Sequence, residues 1–525
     1  MADEGRPLPT EPLPTQPLPT QPLPASPLPK VTPWLLRRAD DLCARRLARE
    51  FEGADASYDP VNRGRIRDAF LAAARDVHAE LCDPTERDFA GAGRDLEPEE
   101  QAVLRQAAHW YVHAFGGRAA RADDHGLDRP TESRGRGLRV GGWVDLAVVD
   151  EDGARELRHL DLWAGPRPVA DPLELPAVRL ATLRLTRWAA GEPLRVVWAD
   201  LVRGGTVERV VGEDDRAALA RWFDERVAVV RDRAADPVAV MGADCQTCGH
   251  VGGCPEVPGA IRLGRGPNPL LPGWVTLTPT RRETWRRCRR EWRDAHVLAV
   301  PPSDLDPAGV HGQQVHDLLR LVHEQGTCQD PGHVDDVLTA HGLDGDGRIR
   351  AELDRHARRC PLGAVALGHE ITRVRAHRRP YPPFLASARL DALWVHDGIL
   401  DAHDYKTGRV WSERVADDAQ ARLQAWVLAP LAAREGLRLR ITFEHLASEV
   451  AEDPDPFEPD ADDLDAIEEE MRADVAAMWS EADFHGVADP EVCGRCRYRS
   501  VCPDSAAPGE AVWPRVELDV DDPGR

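Results

Sequence analysis

The feature that most constrains the fold is a cysteine pattern written twice. "CQTCGHVGGCP" (245–255) and "CGRCRYRSVCP" (493–503) share the spacing C-x2-C-x5-C-P. Each has a lone cysteine far upstream on an arginine-rich stretch: Cys43 in "ADDLCARRLAREF" and Cys288 in "WRRCRREWRDA". Cys245 follows Cys43 by 202 residues, and Cys493 follows Cys288 by 205. A frame repeated this closely across two halves of a chain is the mark of a duplicated domain. Cys43, Cys245, Cys248 and Cys254 make one set; Cys288, Cys493, Cys496 and Cys502 make the other. Four thiolates can hold zinc or an iron–sulfur cluster, and spacing alone does not separate the two. Either would staple the distant ends of a domain together. Cys82, Cys328 and Cys360 fall outside both sets and read as ordinary thiols.

The interior repeats in the same order. "GGWVDLAVVDEDGARELRHLDLWAG" (141–165) parallels "ASARLDALWVHDGILDAHDYKTG" (386–408). Each reads as a β-hairpin, with an apolar strand, a polar turn containing Asp-Gly and a second strand. In this alignment Asp145 matches Asp391, Asp161 matches Asp404, and Trp163 stands where Lys406 does. Helical patterns follow in both halves, "LPAVRLATLRLTRWAA" and "DAQARLQAWVLAPLAA". Counting onward places Ala181 against Gln424. The resulting map is a proline-rich repeat leader over 1–30, a first copy over 31–260, a Gly/Pro linker over 261–274, a second copy over 275–507 and an acidic tail over 508–525.

Lys406 carries much of the functional reading. The chain has 67 basic residues, and only Lys30 and Lys406 are lysine. Lysine is a compact point charge, whereas arginine is a planar fork. Asp404 and Lys406 are i and i+2 on one strand and so face the same way. Asp391 lies on the neighbouring strand, close enough for two carboxylates to share a metal. Oxygen ligands of this kind suit Mg²⁺ or Mn²⁺. Two carboxylates and an ammonium on one surface suit phosphodiester hydrolysis. Glu370 and His316 are further acidic and imidazole candidates. In the first half, Arg67 and Asp68 lie near the position expected for the histidine.

The second half, over about 275–507, resembles the PD-(D/E)XK nucleases, in the RecB/AddB-like exonuclease branch that carries a four-cysteine iron–sulfur cluster. "TPTRRETWRRCRREWRDAHVL" resembles that family's opening helix with its first cluster cysteine, Cys288. "GQQVHDLL" supplies His316, "RLDALW" Asp391, and "HDYKTG" the Asp404 and Lys406 of the D-x-K signature. Gln424 falls where the family has a glutamine on the following helix. The resemblance implies an α/β fold with a mixed central sheet flanked by helices, here in two tandem restriction-endonuclease-like copies. It implies His316, Asp391 and Asp404 on a divalent metal, with Glu370, Lys406 and Gln424 in catalysis. It also implies a [4Fe–4S] cluster on Cys288, Cys493, Cys496 and Cys502, and a second on Cys43, Cys245, Cys248 and Cys254. The first copy, lacking the lysine and the glutamine, then reads as a nuclease fold that has lost catalysis.

The net charge of −23 argues against a protein that coats nucleic acid by bulk charge, but a local basic groove is compatible with it. "RRETWRRCRREWR" (281–293) is the candidate. Arg286, Arg287, Arg289 and Arg290 are expected to meet backbone phosphates, with Trp285 or Trp292 stacking on a base. The resemblance implies DNA ends, single strands or flaps as substrate, in repair, recombination or defence. No P-loop is present, so a helicase motor would be a separate chain. The rival reading is a non-catalytic DNA-binding or scaffold subunit of a helicase–nuclease complex. No apolar run is long enough to span a membrane and no secretory signal opens the chain, so the expected location is cytoplasmic.

Overall fold

The computed structural model describes residues 29–506 apart from 53–63, 90, 124–130, 134–137, 141–144, 163–168, 187–193, 249–253, 255, 258–273, 302–306, 362–363, 378–381, 409–413, 448–452 and 500. The repeat leader up to 28, nearly all of the expected linker, Trp163 and the acidic tail lie outside these residues.

The first half runs β1 (Lys30–Val31), α1 (Pro33–Arg37), α2 (Ala44–Phe51), α3 (Gly64–Val77), α4 (Pro98–Phe115), β2 (Ala120–Ala122), β3 (Thr131–Ser133), β4 (Leu138–Val140), β5 (Leu146–Asp150), β6 (Arg155–Asp161), α5 (Pro176–Thr186), β7 (Leu194–Asp200), β8 (Thr206–Val211) and α6 (Glu213–Ala235). The second runs β9 (Val275–Leu277), α7 (Pro279–Arg287), α8 (Arg289–His296), α9 (Pro307–Gln325), α10 (Pro331–Ala340), α11 (Gly347–Arg359), β10 (Val365–His377), β11 (Phe384–His396), β12 (Ile399–Lys406), α12 (Ala419–Glu435), β13 (Arg438–His445), α13 (Ala461–Ser480) and α14 (Pro490–Arg495).

Each half has a mixed central sheet. One is ordered β2-β5-β6-β7-β8, and the other β10-β11-β12-β13 with β9 against β11. The pairing signs agree: β5 with β6 and β11 with β12 are antiparallel, while β6 with β7 and β12 with β13 are parallel. A parallel pair needs a crossover, and a helix supplies it each time, α5 or α12. The hairpin between β11 and β12 turns on Asp397 and Gly398, whose φ values are 50° and 72°. Two consecutive positive φ values define the turn that best matches strand twist, and Asp-Gly is the pair that adopts it. The strand β12 is buried along almost its whole length, as a central strand covered on both faces must be. The entry helices are capped alike. Thr32 and Thr278 each accept from the backbone N–H three residues on, and a proline follows each. Cys43 and Cys288 then occupy the same local position, the residue before α2 and before α8.

The halves interlock. Cys245 and Val257, from the end of the first half, share a small core with Val374, Ala376 and Leu385 of β10 and β11. Gln246 Nε2 donates to Ser387 Oγ at 2.8 Å. In return, Leu298, Val300 and Tyr498 of the second half pack into the core built on Phe70, Leu104 and Tyr111. Each half's cysteine-bearing segment thus touches the other half. Glu99 on α4 pins the second contact: its buried carboxylate accepts from Arg290 at 2.5 Å and Arg293 at 2.8 Å. Removing one member of a buried ion pair leaves charge uncompensated, at a cost of about 3–5 kcal/mol. Glu99→Ala is expected to lower the free energy of unfolding by about 3 kcal/mol in denaturant titration. A change below about 1 kcal/mol would mean that Asp294, Glu97 and Asp504, which also touch these arginines, take over the role.

Candidate functional site

Asp391 is the anchor. It lies inside β11, almost fully buried, and its Oδ2 accepts the Tyr405 N–H of β12 at 2.6 Å. The register sets His369 against Ala392 and Ile371 against Leu390, so Glu370 falls opposite Asp391. A bulge between Ala366 and Gly368 and a φ of 51° at Glu370 turn that carboxylate out of the regular ladder. A left-handed backbone at a non-glycine residue is strained and concentrates at functional sites. From α9, His316 completes the group. Its Nδ1 lies 3.3 Å from Asp391 Oδ1 and 3.4 Å from Glu370 Oε1, and its Nε2 donates to the Tyr405 carbonyl at 3.0 Å.

Beside this trio sits a second network. The Lys406 ammonium is paired with Asp404 and donates to Gln420 Oε1 at 3.0 Å. The Gln420 amide donates to Asp404 Oδ1, and Gln424 Nε2 reaches the same oxygen at 3.3 Å. The ammonium also stands over the Phe443 ring, 4.3 Å from its centre. Gln420 and Gln424 are i and i+4 on α12 and so share a face. The sequence points to Gln424 alone, and the i, i+4 spacing is the signal for its partner Gln420.

Burial and crowding set the charges. Burial and the neighbouring Asp404 push the Asp391 carboxyl up to about 6. Burial opposes charge on His316, but Asp391 and Glu370 outweigh it and hold the imidazole up at about 10. Glu370 is pulled low by His316 and Arg389 against its burial. Burial also opposes charge on Lys406, yet Asp404 raises it. Buried charge must be compensated, and here the histidine provides the compensation.

The ligand atoms of His316, Glu370 and Asp391 all lie within 4.8 Å of one another. Glu370 Oε1 is buried, and its polar neighbour is His316 Nδ1, at a long 3.4 Å. Two carboxylates and one imidazole around such an oxygen fit a hard divalent cation. The expected set was His316, Asp391 and Asp404. The structure gathers Glu370 with the first two and ties Asp404 to Lys406 and the glutamines.

The first half shows the same anchor with other partners. Asp145 is buried and its Oδ2 accepts the Leu160 N–H at 2.8 Å, as Asp391 accepts from Tyr405. Leu146 pairs with Arg158, as Ala392 pairs with His403. This register corrects the sequence alignment by two residues: His159 stands at the Asp404 position, and Asp161 at the Lys406 position. The second carboxylate of the pair is therefore missing. The Asp145 carboxylate is instead paired with the Arg67 guanidinium of α3 and with His159 Nδ1 at 2.8 Å.

The structure brings the second cysteine set to one place, and three of the first set to another. Cys288, Cys493, Cys496 and Cys502 line one cavity with Glu291, Asp294 and Tyr498. Burial pushes the Cys496 thiol up to about 12 and Cys502 up to about 11, so thiolates here need a bound cation. In the other set, Cys245, Cys248 and Cys254 border the same small core, and burial pushes Cys245 up to about 11. The arginines are less free than expected. Arg286 pairs with Asp474, Arg287 with Glu291 and Glu283, Arg289 with Glu481, and Arg290 with Glu99 and Asp504. Trp285 and Trp292 are buried edge to face, which leaves neither ring open to a base.

A mixed sheet flanked by helices, with acidic groups, a histidine and a lysine gathered at its central strands, makes an α/β domain with a candidate metal site. Residues 276–503 match the model of the PD-(D/E)XK nuclease superfamily, and that region is a domain of it, with the restriction-endonuclease-like fold. No curated protein matches the chain. Among the described residues, no helix is long and apolar enough to cross a membrane.

The Asp145 cage generates a pH test. Burial opposes ionisation of Asp145, but His159 and Arg67 outweigh it and hold the carboxyl below its ordinary value of 3.8. Burial opposes charge on His159, but Asp145 holds it above its ordinary 6.5. The carboxylate's contribution is present above 3.8 and lost as pH falls through its lower folded value. The imidazolium's is present below 6.5 and lost as pH rises through its higher folded value. Thermal unfolding from pH 5 to 9 should show stability declining on the alkaline side, and His159→Gln should flatten that decline. An unchanged decline would assign it to another group.

Proposed function

We propose that the second half hydrolyses phosphodiester bonds in DNA with a divalent metal, Mg²⁺ or Mn²⁺, and that the first half is a duplicated, catalytically silent copy. The observation that carries this is the pairing of two groups at the central strands: His316, Glu370 and Asp391, and beside them Lys406 fixed by Asp404 and Gln420. His316, Glu370 and Asp391 would hold the metal, with Asp404 next to them. When bound, the metal supplies Lewis acidity to the phosphate and lowers the pKa of water.

The remaining work falls to the chain. The Tyr405 N–H holds Asp391 in its rotamer. The raised Lys406 remains a cation and so suits stabilising negative charge on the phosphate rather than taking a proton. Gln420 fixes the ammonium and Asp404 together, so neither must reorganise during reaction. Arg389, half-exposed and bonded to Glu370 at 2.5 Å, stands at the site and could meet a neighbouring phosphate.

The cysteine sets are read as [4Fe–4S] sites. The four cysteines of the second half line one cavity, and the resemblance to the iron–sulfur branch supports a cluster rather than zinc there. The finer reading is a RecB/AddB-like exonuclease or end- and flap-processing enzyme in repair, recombination or defence, with a helicase as a separate partner. Arg286 and Arg289, the more exposed of the arginines, could exchange their carboxylates for DNA phosphates.

Iron-loaded protein, end-labelled DNA and Mn²⁺ test the reading. Wild type should cleave, Lys406→Ala should be slower by about 100-fold or more, and raising salt should weaken binding steeply. Absence of cleavage by iron-loaded wild type would overturn it in favour of a scaffold subunit.

A further inference from the structure

Behind the active strands lies a second cluster of ligands that the reaction does not use. His323 sits near the end of α9, Cys328 in the turn after it, His356 on α11, and Cys360 caps that helix. Cys328 and Cys360, read as ordinary thiols from the sequence, meet here. The ligand atoms of these four residues all lie within 4.8 Å of one another. His356 Nε2 is 3.2 Å from His323 Nε2, and Cys360 Sγ is 3.6 Å from His323 Nε2. A tetrahedral zinc with nitrogen at about 2.05 Å and sulfur at about 2.3 Å requires edges of about 3.3 Å between nitrogens and about 3.6 Å between nitrogen and sulfur. Both observed edges fit.

The surroundings fit as well. His356 Nδ1 lies 3.0 and 3.1 Å from the oxygens of Glu444, a buried carboxylate. It therefore donates there and turns its Nε2 lone pair into the cluster, the arrangement that orients metal-binding histidines. Two Nε2 atoms 3.2 Å apart need a proton or a metal cation between them, and a metal replaces that proton while also using the two thiols beside it. Cys328 and His356 are buried, which keeps bulk water from competing as a ligand. Two nitrogens and two sulfurs in a closed tetrahedral set select zinc and leave no open position for substrate. The sequence form, H-x4-C followed by H-x3-C, has the short paired spacing of zinc modules.

We propose that His323, Cys328, His356 and Cys360 form a structural zinc site, distinct from both four-cysteine sets and from the His316 centre. The site braces the active strands from behind. His323 is seven residues from His316, two turns along the same face of α9. The His369 ring, next to Glu370, stacks on His323 with centres 4.7 Å apart. His356 meets the Tyr405 ring edge on at 5.1 Å, between Asp404 and Lys406. This assignment does not depend on the chain being a nuclease.

The test is metal analysis of the full chain, purified without added metal, with zinc-edge X-ray absorption. The expected result is about one zinc per chain, with two sulfurs at about 2.3 Å and two nitrogens at about 2.0–2.1 Å. Cys328→Ser with Cys360→Ser should lose the zinc and keep the iron, and Cys82→Ser should keep both. The wild-type spectrum stands even if the double variant does not fold. A four-sulfur zinc shell, or no zinc and a Cys328–Cys360 disulfide, would overturn the proposal.

Discussion

A carboxylate buried in the central sheet cannot stand alone, and both halves are arranged around that constraint. Asp145 and Asp391 each accept a backbone N–H from the next strand, which fixes the group but leaves its charge to be met by cations. In the first half the cations are Arg67 and His159. A guanidinium keeps its proton under any ordinary condition, so that site is permanently filled. In the second half the counter-charge is His316, which can yield its proton and serve as a neutral ligand. On the proposed reading, one ancestral site has been closed by an arginine and the other left exchangeable.

The same economy extends to the junction between the halves. Each cysteine-bearing segment lies against the opposite half, and Glu99 ties α4 to α8. Loss of catalysis in a first copy would not free it to be discarded, because the second copy's Tyr498 and Leu298 are buried in its core. A cluster closing a loop of about 200 residues would restrict the unfolded chain.

Much of this was legible in the residues. The repeated cysteine frame, the Asp-Gly turn and the rare lysine Lys406 pointed to the fold and to the candidate site because each depends on local chemistry. The register of the first half was not legible. "LDLWAG" and "HDYKTG" look alike, but matching them puts three extra residues in the first hairpin, whereas the strand pairing admits one, so the matching strand positions lie two residues earlier. The true anchor is a backbone hydrogen bond, which leaves no trace in residue type. The arginine-rich helix misled in the other direction: its charges are answered by carboxylates about 190 residues away, such as Asp474 and Glu99. Cys328 and Cys360 looked partnerless because their partners are histidines brought in by helix packing.

On the proposed reading one buried aspartate, Asp391, helps hold an exchangeable metal and its counterpart, Asp145, does not. Anomalous diffraction from crystals soaked in Mn²⁺ tests both halves at once. The account predicts manganese among His316, Glu370 and Asp391 and none at Asp145. Manganese at Asp145, or its absence from the His316 centre at saturating concentration, would contradict it.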